Sequence, residues 1–106
     1  RKLISLLFIR ECRVIRRVLM WRLKNGSDAE EMKEALLSMK GNVSSLLDIE
    51  VGVNISSHKS AYDIVFIGTF ADKGALLEFE SDEFHKSVGG LVSKLRADRV
   101  VVEYEC

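Results

Sequence analysis

The chain has 106 residues, 47% of them hydrophobic and 30% charged, with 16 basic side chains balanced by 16 acidic ones. That composition excludes a disordered chain, and no apolar run approaches the ~20 residues that a spanning helix requires. The length suits one domain burying about 65% of the surface its unfolded chain exposes, enough to fold alone but with little stability to spare, so association is favoured.

Residues 1–24 hold eight Lys or Arg against one acid, Glu11, so the head of the chain carries +7 and the remainder −7. Arg10, Arg13, Arg16, Arg17 and Arg22 are interleaved with apolar side chains rather than gathered on a polar stripe, which argues against a nucleic-acid partner. The apolar stretch Leu3 to Ile9 is short, is followed by Arg10, Glu11 and Arg13, and lacks a small-residue cleavage site, so it reads poorly as a secretory signal. Residues 1–13 are expected to form an extension that packs on the domain or on a partner. Cys12 and Cys106 have no metal-ligand spacing, and a reduced, cytoplasmic protein is the expectation.

Residues 14–24 (VIRRVLMWRLK) mix β-branched, aromatic and basic residues, with Arg17, Leu19, Trp21 and Leu23 on one face, and are predicted to form a strand. Ser27 lies three residues before Glu30, the capping-box spacing, so a helix is predicted from there to about Lys40, with Met32, Leu36 and Met39 inward and Gly41-Asn42 as its stop. Leu47 to Ile55 alternates with period two and predicts a half-buried second strand. Tyr62 to Phe70 is more continuously apolar and predicts a central strand. Asp72 is placed to cap a short helix to about Phe79, and Ser81 a longer one to Leu95 with Phe84, Val88, Leu91, Val92 and Leu95 on one stripe. Arg99 to Glu105 (RVVVEYE) is the last strand. The order β-α-β-β-α-β gives an α+β fold with a four-stranded antiparallel sheet and helices on one face. The other face has nothing in this chain to cover it, which predicts a homodimer.

These phrases in this order, from VIRRVLMWRLK through GSDAEE, IEVGVNIS, YDIVFIGTF and LEFESDEFH to VVVEYE, resemble the stress-responsive dimeric α/β-barrel domains over residues 14–105. The resemblance implies that residues 14–106 form one ferredoxin-like domain, that two chains pack sheet to sheet into a barrel, and that a cavity between sheet and helices holds a small ligand. Some plant members are polyketide cyclases that use a His and a Tyr. His85 matches the family's retained histidine, and Glu103 matches an acidic position able to orient it. The usual tyrosine is Phe79 here, the usual His-Pro pair is Asp82-Glu83, and Arg17 stands where the opening strand usually carries a histidine.

Two functions follow as expectations. The first is a cofactor-free binding module holding an apolar or carboxylated molecule over Arg17, Leu19, Trp21, Phe79 and His85, with Arg17 offering a planar fork to a carboxylate, or else snorkelling to the sheet edge or salt-bridging across the dimer. The alternative is a cofactor-free cyclase, isomerase or lyase with His85 as general base held by Glu103. Either way no metal site is expected, because His58, His85 and the carboxylates lack ligand spacing, and no phosphate loop or dinucleotide fingerprint is present.

Overall fold

Strand β1 spans Ile15–Leu23, and its burial alternates strictly, with Ile15, Arg17, Leu19, Trp21 and Leu23 buried, as the period-two pattern requires. The protein is described by a computed structural model covering residues 14–106, and the expected extension at residues 1–13 lies outside them. A 3₁₀ turn at Gly26–Asp28 leads into α1 (Ala29–Leu37), followed by β2 (Asp48–Val53), β3 (Ile64–Phe70), α2 (Lys73–Ser81), α3 (Glu83–Leu95) and β4 (Arg96–Glu105). All neighbouring strands are antiparallel in the order β2-β3-β1-β4, so β3 is central as its apolar run predicts.

Local chemistry explains where the elements depart from the predicted bounds. The Ser27 hydroxyl donates to Asn25 Oδ1, which also accepts the Ser27 N–H, so Asn25 rather than a Ser27–Glu30 box starts the helical segment, as a 3₁₀ turn. Helix α1 stops at Leu37, and further turns carry buried Met39 and Val43 into the core past Gly41, whose φ of 81° suits glycine. Asp82, not Ser81, caps α3 by accepting the His85 N–H. Strand β2 is shorter than its alternation suggests, leaving Leu47 and Ile55 exposed outside it. The Cys106 N–H donates to the Val14 carbonyl, closing the end of β4 against the start of β1.

The three helices cover one sheet face, and Met32, Met39, Phe66, Phe70 and Phe79 fill the layer between. Gly68 sits in β3 opposite Arg17, and a Cβ there would lie 2.7 Å from the Phe66 ring and 3.2 Å from Phe70. Because both rings close over the missing side chain, Gly68→Ala should cost about 1–3 kcal/mol by overpacking, measured as a lower urea midpoint. On the far face Val18 and Met20 of β1 stand beside Val65 and Ile67 of β3 and Val100 and Val102 of β4, an apolar surface with no cover among the described residues.

Candidate functional site

A cavity of about 370 Å³ lies between the helical layer and β1, β3 and β4. The cavity is lined by Arg17, Leu19 and Trp21 from β1, Phe79 from α2 and His85 from α3. The strand period places the first three on one face, and the Asp82 cap starts α3 so that His85, in its first turn, stacks on Phe79 with ring centroids 3.9 Å apart. Sequence patterning missed Glu80, Ser93, Arg96 and Arg99, which also line the cavity.

Arg17 is buried, and two of its three guanidinium nitrogens are paired with carboxylates of the same chain. Nε donates to Glu103 Oε2 at 2.5 Å, and Nη2 donates to Glu80 Oε2. The expected Glu103–His85 pair is therefore not formed, because the carboxylate is drawn to the cation on the adjacent strand, where Arg17 and Glu103 are register partners. The Nε and Nη2 donors that Arg17 would offer a ligand carboxylate are thus already paired with Glu103 and Glu80. The spacing of acids and bases could not reveal this, since Glu80 reaches Arg17 only through the α2 packing angle.

Burial lowers the pKa of His85 below its ordinary 6.5; the Phe79 carbonyl opposes that, Arg17 adds to it, and Glu80 and Asp82 oppose it. The ring is thus neutral near pH 7, with Nδ1 buried and unpartnered, as is Trp21 Nε1. Since the folded pKa lies below the unfolded value, the two states bind protons equally above about pH 7. Stability should fall as pH drops through 6.5 toward the folded pKa, where only the unfolded chain takes up the proton, and level off below it. Thermal melts from pH 7.5 to 5 should show this loss in the wild type and a smaller one in His85→Gln.

The model of the stress responsive A/B barrel domain matches residues 15–106. The chain belongs to that family. No curated protein matches the sequence. Among solved structures this A/B barrel chain is similar to a dimeric ferredoxin-like protein of unknown function from Bacteroides fragilis, at 18% identity, 88% of this chain and 96% of that one, with a TM-score of 0.77. A dimeric ferredoxin-like protein of unknown function from Thermobifida fusca superposes at 16% identity and TM-score 0.79, over 89% of this chain and 92% of that one. The hydroxynitrile lyase of Passiflora edulis superposes at 11% identity and TM-score 0.78, over 90% and 94%. These likenesses establish a ferredoxin-like fold whose neighbours include dimers. No helix among the described residues is long and apolar enough to cross a membrane.

Proposed function

We propose that this A/B barrel chain is a homodimeric binding module that holds a small, largely apolar molecule between its sheet and helices. The observation that carries the reading is the cavity itself: a volume of about 370 Å³ whose apolar wall is Leu19, Trp21, Phe66, Phe79 and Val88, with charged side chains among the rest of its lining. The uncovered apolar sheet face and the dimeric neighbours support the homodimer.

The competing reading, a lyase, isomerase or cyclase step with His85 as base, draws support from the neutral imidazole and from the lyase among the fold neighbours. It is the weaker reading, because Glu103 is committed to Arg17 and Phe79 has no hydroxyl to serve as acid.

Trp21 is the only tryptophan in the chain, so its indole N–H gives one resonance that reports on the cavity wall. Titration with 4-phenylbutan-1-ol should move that resonance saturably, with a Kd on the order of 1 mM for an unoptimised probe of this size. A Val88→Phe variant, which fills the cavity, should abolish the shift. An indole resonance that stays fixed in the folded protein would remove the binding reading.

A further inference from the structure

Charge is distributed unevenly along the cavity. At the end near Arg17 one guanidinium faces two carboxylates, Glu80 and Glu103, and the neighbouring His85 is neutral, so that end carries a net −1 and repels an anion. At the other end Arg96 and Arg99 line the cavity with the Ser93 hydroxyl, and neither arginine has a carboxylate salt-bridge partner among the described residues.

The backbone brings those two arginines to one face by a specific device. In a regular strand, residues three apart point to opposite faces. Here Arg22 pairs with Asp98 and Leu23 with Arg96, so Ala97 is the extra residue of a β-bulge. The bulge turns Arg96 to the helix side beside buried Leu23, while Arg99 stays on that side opposite Trp21. Asp98, two residues from Arg96, turns its carboxylate to the open face, where it accepts the Tyr62 hydroxyl and the Arg99 backbone N–H and feels Arg22 and Arg96 only beyond salt-bridge distance. Bulges recur beside active sites, where they re-aim a side chain, and this one turns Arg96 to the rim of the cavity.

We infer that the cavity takes a small organic carboxylate with its acid end at Ser93, Arg96 and Arg99 and its apolar body against Trp21, Phe66 and Phe79. This rests on the binding reading above and names the ligand class and its orientation. It also moves the anion to the end opposite Arg17, where the sequence alone would have put it. Two guanidinium groups give a carboxylate charge-assisted hydrogen bonds that a neutral alcohol of the same shape does not make.

The test compares 4-phenylbutanoate with 4-phenylbutan-1-ol at pH 7 and low salt, both followed by the Trp21 indole resonance of the full chain. The carboxylate should bind at least about tenfold more tightly, and the advantage should shrink as salt is raised. In the Arg96→Gln/Arg99→Gln variant its affinity should fall to that of the alcohol, with the rest of the amide spectrum unchanged. Equal binding of the two probes to the wild type, or a carboxylate preference that survives in the double variant, overturns the assignment while leaving an apolar binding cavity in place. If neither probe shifts the indole, the cavity reading and this assignment fall together.

Discussion

Replacing Arg17 with Met is expected to lower the unfolding free energy by about 2 kcal/mol and to raise the pKa of His85. The methionine keeps the apolar stem that packs in the sheet–helix layer but removes the guanidinium that joins β1, β4 and α2. Removing one partner of a buried pair costs about 3–5 kcal/mol, because the other charge is left without compensation. Here the carboxylates of Glu80 and Glu103 are part-exposed, 49% and 39% at the side chain, so water screens them and the smaller figure applies. Most of the loss should return in Arg17→Met/Glu80→Gln/Glu103→Gln, which has no charge left to satisfy. The His85 shift has a definite sign. Arg17 now disfavours the imidazolium and Glu80 favours it, so removing the cation acts upward twice, by deleting a repulsion and by freeing an attraction. Histidine titration by NMR checks this. A His85 pKa that falls or stays put in the single variant would mean that Arg17 does not set the field at the imidazole.

The elements and their order were legible in the sequence because each is amphipathic at its own period: Arg17, Leu19 and Trp21 alternate on β1, while Phe84, Val88 and Val92 recur at helical spacing on α3. Periodicity put Arg17, Leu19 and Trp21 on one face, whereas a cavity that also takes in Phe79 and His85 was implied only by the family resemblance; all five line the cavity. The partnership of the charges was not legible. The sequence offered Arg17 a ligand carboxylate, the sheet edge or an acid across the dimer, and the intrachain pairing that forms instead depends on Glu80, which lies 63 residues away and meets it only after α2 docks. The Arg96–Arg99 pair was hidden for a different reason. A strand read with strict alternation puts those two residues on opposite faces, and nothing local in RADR announces the extra residue at Ala97. Long-range pairing and register irregularities are decided by tertiary packing, so they escape a reading that relies on local pattern.

The second large effect is on assembly. The wild type should sediment at twice the 12.0 kDa chain mass, and Val102→Lys should sediment as a monomer at micromolar concentration. Val102 is 61% exposed and is the register partner of Val18 at the middle of the uncovered face, flanked by Val100, Met20 and Ile67. Even on the helix side β4 stands clear of its cover, since Val101 is 43% exposed although it faces the same way as buried Leu19. A ten-residue edge strand with valines bare on both faces is the kind of surface that a second copy covers. Sheet-to-sheet packing would bury each of those valines, at about 25 cal/mol per Å² of apolar area. The lysine would place an unpaired ammonium in the middle of that contact, where desolvation costs several kcal/mol, and an equilibrium shift of roughly 100-fold or more follows. Because position 102 is solvent-facing in the single chain, the variant should retain its melting transition as a monomer, although at a lower temperature. A wild-type chain that sediments as a well-folded monomer would mean that this face is stable in water, and a Val102→Lys protein that stays dimeric would place the interface elsewhere.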